Sequence, residues 1–376
     1  MNSIITSKIS ENTLKKMLRD FASRAATYDA NGNFVKENYK ELKNLKLFSA
    51  LIPKELGGLG MDYSEICLLI KSIAYHCGST ALAFSMHQHL IAAMVWKYKN
   101  KNVGEPTLRR IAEKQLVLVS TGARDWLGSN GEMKRTEGGY LFSAQKHFAS
   151  QSNFGDIAVT SAPFLNENND WKVLHFAVPL NTQGTSIIEN WDVMGMRGTA
   201  SNGIAFDNVF ISNDSISLER NRDDFHPVWN VVLTVAMPII MSVYVGIAER
   251  AVELAISKVK KNCGNKDHLT YCLGKLNNSL LAAQTQWEAM YKTANDLDFP
   301  IHDDNSIKIL SLKTNVAEAC KQTVSEVMEC VGGQSFYKGN EFERLFRDSQ
   351  AASFHPLPKW EQYAFTGKKI LGREIQ

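Results

Sequence analysis

Leu116-Val117-Leu118-Val119-Ser120 marks the point at which the hydrophobic pattern of this chain changes from helical to strand-like. Consecutive apolar residues, two of them β-branched, predict a short buried strand when a turn such as Thr121-Gly122 follows. More short apolar runs, bounded by Gly, Asn and Asp, continue to about residue 211 and cover 140–142, 157–160, 173–178 and 203–206. Their spacing predicts a β domain at residues 116–215, built as a small barrel or sandwich.

Apolar residues on both sides of this region recur every three or four positions, which is the period of an amphipathic helix. Before it, the pattern runs from Glu11 to about Glu113 and predicts an N-terminal helical domain at residues 1–115. After it, the period returns beyond Pro238 and predicts a C-terminal four-helix bundle at residues 216–376. The chain is therefore predicted to be an α+β multidomain protein with helices, strands and helices in that order.

The clearest helix is predicted at residues 307–331, where the apolar stripe is unbroken. Asp303-Asp304-Asn305 can cap its start, because short polar side chains accept hydrogen bonds from the first free backbone N–H groups. Gly332-Gly333 can end it, since glycine readily adopts the left-handed conformation common after a helix.

Composition limits the kinds of partner that the protein can have. The chain has 376 residues, of which 44% are apolar and 22% charged, and its net charge is only +3. Because its basic and acidic residues are interspersed, nucleic acid is an unexpected partner. No stretch of about 18 apolar residues and no signal-like N-terminus is present, so we expect a cytoplasmic protein without a membrane span. Six scattered cysteines without a CxxC pair predict reduced thiols and no metal site.

Short motifs in a fixed order connect the chain to a known family. In chain order they are Pro53-Lys54-Glu55-Leu56-Gly57-Gly58-Leu59-Gly60, Gly128-Ser129-Asn130, Gly195-Met196-Arg197-Gly198-Thr199 with Phe206-Asp207-Asn208-Val209, Gly246-Ile247-Ala248-Glu249-Arg250-Ala251, and Val331-Gly332-Gly333-Gln334-Ser335-Phe336 leading to Arg347-Asp348. With these motifs the whole chain resembles the acyl-CoA dehydrogenase superfamily.

The resemblance implies a flavin held between the β domain and the C-terminal bundle, in a homotetramer or homodimer. The residues expected to bind it are Thr121, Ser129, Phe148, Ser150, Gly332 and Gly333. Alternate residues of a strand share a face, so Phe148 and Ser150 are expected to face the flavin while His147 points away. Either FAD or FMN is compatible with the sequence, because the stretch 260–266 lacks the Arg and Phe that usually contact FAD in this family.

The catalytic base of an acyl-CoA dehydrogenase is missing from both of its usual places. Such an enzyme needs a carboxylate within hydrogen-bond reach of the substrate α-proton. Counting from the motifs, one usual position of this glutamate falls on Pro356 and the other on Ala236. Glu361 is the nearest substitute, and it would need a rearranged loop.

Other residues resemble those of a different branch of the superfamily, which hydroxylates substrates with reduced flavin and dioxygen. Members of that branch often have a histidine in the Arg347-Asp348 loop and a serine near the flavin, which here are His355 and Ser150. Some add a histidine from the N-terminal helices, where this chain has His87 and His89; we name His87 as the candidate. An imidazole can donate a hydrogen bond and assist proton transfer near neutral pH.

Three functions remain open at this point. The favoured one is a two-component monooxygenase that acts on a small molecule and receives reduced flavin from a separate reductase. The alternatives are an acyl-CoA or acyl-carrier-protein thioester dehydrogenase with Glu361 as a displaced base, and a flavin-binding scaffold without activity. Two further residues are given structural or covering roles: Arg197 is expected to order the β domain or approach substrate, and Trp126 to cover the flavin ring or pack.

Overall fold

A computed structural model describes residues 8–122, 127–262 and 267–375. Trp126 and residues 263–266 of the stretch compared with the FAD-binding motif lie outside the described residues. The helices before the strands are α1 Glu11–Asn31, α2 Lys36–Asn44, α3 Tyr63–His76, α4 Gly78–Lys101 and α5 Glu105–Lys114. The helices after the strands are α6 Val228–Asn262, α7 Asp267–Thr293, α8 Asp303–Val331, α9 Glu341–Gln350 and α10 Lys359–Ile370.

Between the helical regions, strands form two four-stranded sheets. The strands are β1 Leu118–Ser120, β2 Glu132–Thr136, β3 Gly139–Ala149, β4 Ile157–Leu165, β5 Trp171–Pro179, β6 Thr185–Ile188, β7 Asn202–Ser212 and β8 Leu218–Asn221. Their orders are β1-β4-β5-β8 and β2-β3-β7-β6, with β1 and β4 parallel and the other pairs antiparallel.

The two sheets pack face to face as a sandwich with a core of its own. Phe142 of one sheet meets Phe176 of the other edge to face, with ring centroids 4.9 Å apart, a favourable geometry for aromatic pairs. Every apolar run predicted to be a strand is one, whereas β2, β6 and β8 lie outside the predicted runs. Strand β8 pairs with β5 beyond residue 215, which was the predicted end of the domain.

The N-terminal and C-terminal helices share one continuous hydrophobic core. Helices α3 and α4 both pack on α6, so the N-terminal region is an extra layer on the bundle. Helix α6 is long and apolar enough to cross a membrane, but it is mostly buried inside the protein, as expected of a core helix.

Helix α8 confirms the clearest helix predicted from the sequence, but its N-terminal cap is a different residue. The residue before the helix is His302, whose side chain accepts a hydrogen bond from the backbone N–H of Asp304. The cap therefore lies one residue before the predicted Asp303-Asp304-Asn305. Gly332 ends the helix with φ of 77°, in agreement with the sequence pattern.

Candidate active site

The loop between α9 and α10 carries His355 and is fixed by two buried residues of the helical bundle. Tyr244, which is fully buried in α6, forms a hydrogen bond through its hydroxyl group with Nε2 of His355. Lys313 of α8 donates from its ammonium group to the carbonyl oxygens of His355 (2.8 Å) and Leu357 (2.9 Å). The loop is thus held through the side chain of His355 and through the backbone carbonyl groups on both sides of Pro356.

The surroundings of His355 keep its imidazole neutral near pH 7. Burial, and to a smaller extent the nearby Lys313 and His89, lower the pKa of His355 to about 3. Burial also lowers the pKa of Lys313 to about 8. His355 nevertheless keeps part of its surface exposed, so a neutral imidazole is available at the edge of the bundle.

His87 is placed differently from the prediction, because its ring holds the β domain onto the helices. Its Nε2 is 2.7 Å from the carbonyl oxygen of Phe48, and its Nδ1 accepts a hydrogen bond from the N–H of Leu118 at 3.0 Å. Both nitrogens of this fully buried ring are therefore used by backbone groups. His89, two residues later and about 200° around the helix, is the histidine that influences His355.

Ser150 lies at the end of a short chain of buried hydroxyl groups in the β domain. Its Oγ shares a hydrogen bond of 2.8 Å with Oγ of Ser201, which shares another of 2.8 Å with Oγ1 of Thr199. The hydroxyl of Thr199 donates to the carbonyl oxygen of Met196 at 3.0 Å. The same Met196 donates its N–H to the carboxylate of Asp348 at 2.5 Å, seven residues before His355.

This chain of contacts connects the serine side of the site to the histidine loop. Burial raises the pKa of Asp348 to about 6, although the bond from Met196 opposes the shift. Asp348 in turn helps to raise the pKa of Tyr244, the partner of His355. The contacts from Ser150 to Asp348 therefore join the β domain to the end of α9, the helix that precedes the loop of His355.

Phe148 is a half-exposed aromatic residue beside Ser150, but the strand geometry that led to it was wrong. Its φ is +58°, and the pairing of β3 with β7 shifts register between Lys146 and Ala149. Simple alternation of faces therefore fails at this point, and Ser150 lies past the strand end. The ring is 50% exposed and meets Trp191 edge to face at 6.4 Å between centroids, so it presents part of its aromatic surface to the solvent.

Two of the predicted cofactor-binding residues use their hydroxyl groups inside the β domain. Thr121 donates its backbone N–H to Val159 O at 3.3 Å and its hydroxyl to Oγ1 of Thr160 at 2.8 Å. Ser129 donates to Ser161 O at 2.9 Å. These bonds order the strand end and the turn, and the cofactor-binding role of Thr121 and Ser129 stays a prediction.

The turn that contains Ser129 is also held by a buried lysine that was not singled out in the sequence. The ammonium group of Lys146 donates to Asn130 Oδ1 (2.7 Å), Asn130 O (2.9 Å) and Ser161 O (2.7 Å). Lys146 is only 1% exposed, so these acceptors replace the water that an ammonium group loses on burial.

Gly332 and Gly333 lie on the outer surface, where no neighbouring atom of the described structure requires a residue without a side chain. A β-carbon at either residue would meet no atom within 4 Å. The next residues include Phe336 and Tyr337, which are 83% and 73% exposed. The glycine turn and these aromatic residues therefore form an open surface next to the end of α8.

Neither of the usual positions of the catalytic base has an acid, and the substitute is on the next helix. Ala236 is buried in α6, and Pro356 is part of the loop fixed by Lys313. Glu361 occupies the first turn of α10, where a carboxylate is favourable because of the helix dipole. This position gives Glu361 a role in the stability of α10.

Arg197 has the structural role that was one of its two predicted roles. Its Nε donates to the carbonyl oxygen of Asp29 at 2.7 Å and its Nη1 to that of Val193 at 2.8 Å. Asp29 also receives two hydrogen bonds from Arg347, at 2.9 Å and 2.5 Å. The two arginines of the family motifs thus join α1, the β domain and α9 at one point.

Besides Lys146, the residues missed by sequence reasoning are Tyr244 and Lys313. Both lie inside strongly apolar or amphipathic helices, where a single polar residue gives no local signal. The one sequence feature that could have indicated Lys313 is its place in the apolar stripe of α8, because a lysine is rarely buried without partners.

Comparisons with known proteins agree with this architecture. A model of the acyl-CoA dehydrogenase N-terminal domain matches residues 9–115, and one of the C-terminal domain matches residues 239–359. The chain is 25% identical over 357 residues to the amino sugar nitrososynthase DnmZ of Streptomyces peucetius, covering 89% of this chain and 86% of that protein. It is 24% identical to the oxygenase component of p-hydroxyphenylacetate 3-hydroxylase of Acinetobacter baumannii, covering 96% and 87%.

A solved structure has the same fold over nearly the full length. KijD3 in complex with FMN and dTDP-3-amino-2,3,6-trideoxy-4-keto-3-methyl-D-glucose superposes with a TM-score of 0.88 at 23% identity. The match covers 99% of this chain and 95% of that chain. At this identity the similarity establishes the arrangement of the domains.

Proposed function

Because the chain belongs to the acyl-CoA dehydrogenase superfamily, we propose that it is a monooxygenase that uses reduced flavin and dioxygen. The observation that carries the proposal is the neutral His355, held by Tyr244 and Lys313 in the loop where a dehydrogenase would need a carboxylate. With a pKa of about 3 this imidazole is too weak a base to replace that carboxylate in a hydride-transferring dehydrogenase, but its N–H can donate a hydrogen bond to an oxygen atom.

The proposed flavin site lies between Phe148 and the His355 loop. The exposed part of the Phe148 ring, braced by Trp191, offers an aromatic surface of the kind on which a flat ring system stacks. The hydroxyl of Ser150 next to it offers a donor or acceptor. These features fit a flavin, which when bound would supply the electrons needed to activate dioxygen.

The chain's own residues have separate roles in this proposal. His355 donates a hydrogen bond and holds a proton on the bundle side, and Ser150 hydrogen-bonds on the β-domain side. We propose His89 as the third polar residue of the site in place of His87, because both ring nitrogens of His87 are used by backbone groups.

FMN is the first cofactor to test, because KijD3, which shares the fold, was solved with FMN; FAD is the alternative. A separate flavin reductase would supply the reduced form, and we expect the protein in the cytoplasm.

We also propose that the protein forms a homotetramer or homodimer. The exposed Phe336 and Tyr337 beside Gly332-Gly333 favour contact with a second copy, since large exposed aromatic patches commonly mark interfaces.

The first substrate class to test is an amine on a nucleotide-linked sugar. This choice follows from the similarity to an amino sugar nitrososynthase and to KijD3 with an amino sugar nucleotide. Phenols form the second class, because of the similarity to the hydroxylase component. Acyl thioesters form the third class, since the superfamily is named for them.

The decisive experiment offers each substrate class under two conditions: reduced flavin with dioxygen, and oxidised flavin with an electron acceptor. We expect an oxygenated product only under the first condition, its loss in His355→Ala and its retention in Glu361→Gln. Turnover of a thioester only under the second condition, lost in Glu361→Gln, would establish the dehydrogenase instead. Peroxide release identical in the wild-type protein and His355→Ala, without any product, would favour an inactive scaffold.

A further inference from the structure

We propose that Tyr244 is a positioning residue that fixes the tautomer of His355, so that the histidine presents its Nδ1–H to the active site. The role of that hydrogen in oxygen chemistry rests on the proposed function, but the tautomer does not. Tyr244 lies in the middle of α6 and is fully buried. Within residues 8–122, 127–262 and 267–375, Nε2 of His355 is the single hydrogen-bond partner of its hydroxyl group.

The direction of the hydrogen bond follows from this isolation. A tyrosine hydroxyl has one hydrogen, and a buried O–H without an acceptor is costly. If His355 donated from Nε2, the hydrogen of Tyr244 would have no acceptor in the described structure. Tyr244 therefore donates, Nε2 of His355 accepts, and the neutral imidazole carries its hydrogen on Nδ1. Ionisation of the phenol offers no alternative, because burial raises the pKa of Tyr244 well above its usual value.

The groups around His355 oppose a second proton on the ring. Lys313 of α8, whose ammonium group bonds to the carbonyl oxygen of His355, and His89 of α4 both lower the pKa of the His355 ring. On α6, Tyr244 would lose its acceptor if Nε2 became protonated. The carboxyl group of Asp348 acts on Tyr244 from α9. A single neutral tautomer is therefore the favoured state.

Besides lowering the pKa of His355, Lys313 holds the backbone of the loop in place. Its two hydrogen bonds reach carbonyl oxygens on either side of Pro356, at 2.8 Å and 2.9 Å. These bonds hold the backbone of the loop, so moving the backbone of His355 away from Tyr244 would break a bond to a buried ammonium group. Among the described residues, Nδ1 of His355 makes no hydrogen bond, so its hydrogen is available to an acceptor atom of a bound ligand.

The tautomer can be measured without flavin, by NMR of protein labelled with ¹⁵N in histidine, at about pH 7. The signals of His355 are assigned from their absence in His355→Gln. We expect the wild-type ring to carry its proton on Nδ1 and Tyr244→Phe to shift it toward a mixture or toward Nε2. The control is Tyr63→Phe, which removes another buried hydroxyl of the same core, bonded to Val235 O at 2.6 Å, and should leave the His355 signals unchanged.

Two results would overturn the inference: a wild-type ring protonated on Nε2, or a Tyr244→Phe spectrum identical to that of the wild type. If Tyr244→Phe does not fold, the wild-type tautomer alone decides.

A second measurement compares product and peroxide with reduced FMN and dioxygen. There we expect the product-to-peroxide ratio to fall on the order of tenfold in Tyr244→Phe, the worth of about one hydrogen bond, and to stay unchanged in Tyr63→Phe. Absence of product in all three proteins would count against the proposed function, whereas the NMR result would still decide the tautomer.

Discussion

Gly195 packs so closely on Arg347 that a β-carbon at residue 195 would lie 2.4 Å from the carbonyl oxygen of Arg347. The contact presses the turn that precedes β7 against the end of α9, and Met196 then reaches the carboxylate of Asp348. Two motifs that are far apart in the sequence thus form one joint, and this joint sets the distance between the β domain and the loop of His355.

Gly195→Ala should lower the free energy of unfolding by about 1 to 3 kcal/mol, because its methyl group would displace the backbone of α9. The matched control is Gly274→Ala, at an open position of α7 where a β-carbon meets no atom within 4 Å. Alanine there should raise the stability by about 0.5 to 1 kcal/mol, because glycine is the poorer helix former. Urea unfolding of both variants checks the opposite signs. Equal effects would contradict the tight joint.

His87→Ala should destabilise the protein by at least about 2 kcal/mol, because it leaves the N–H of Leu118 and the carbonyl of Phe48 without their bonds. His89→Ala should cost less stability, since the hydrogen bond of His89 to Ser85 O is longer, at 3.3 Å. It should lower product formation more, however, because His89 is the histidine that influences the protonation of His355. Unfolding and turnover measured on both variants check this: His87→Ala should lose more stability, and His89→Ala should lose more activity. Loss of activity without loss of stability in His87→Ala would restore His87 as the catalytic candidate.

Stability should fall as the pH falls from about 6.5 to 4. Burial lowers the pKa values of His87 and His89 to about 4 and that of His355 to about 3, so unfolding takes up protons in this range. When the pKa of a group differs by one between the folded and unfolded chains, its full effect on stability is about 1.4 kcal/mol. His175, with a pKa lowered to about 3, adds to this effect, whereas Asp348, with a pKa raised to about 6, acts in the opposite direction as a single group. Urea midpoints at pH 7 and about pH 5 test this, and an equal or higher midpoint at the lower pH would contradict it.

Ser150→Ala should keep the fold and the flavin but release more of the consumed oxygen as peroxide, on the order of tenfold, because a hydrogen bond beside the flavin is lost. Ser152→Ala is the control, since Ser152 is also buried but donates to Ala200 O at 2.9 Å within the β domain. Its peroxide release should match the wild type. Peroxide measured against product distinguishes the variants, and equal ratios in both would remove Ser150 from the site.

The fold could be predicted from the sequence because it depends on repeated local patterns. The strand runs at 157–160 and 173–178 and the stripe of α8 each follow from the spacing of apolar residues. The edge strand β2, with the sequence Glu-Met-Lys-Arg-Thr, was missed since four of its five residues are exposed and polar.

The site was predictable only in part, because it depends on contacts between distant elements. The motifs located His355 and Ser150, but the left-handed φ of Phe148 breaks the alternation that a strand predicts. Nothing local shows that Tyr244 meets His355, 111 residues away. The choice between His87 and His89 likewise depends on which face of α4 meets the β domain.

The most direct test of the proposed monooxygenase is the origin of the oxygen atom in the product. With reduced FMN, ¹⁸O₂ and the substrate that gives turnover, mass spectrometry should find ¹⁸O in the wild-type product, and His355→Ala should release peroxide in its place. A product without ¹⁸O, or a desaturated thioester formed with oxidised flavin and an electron acceptor, would contradict it.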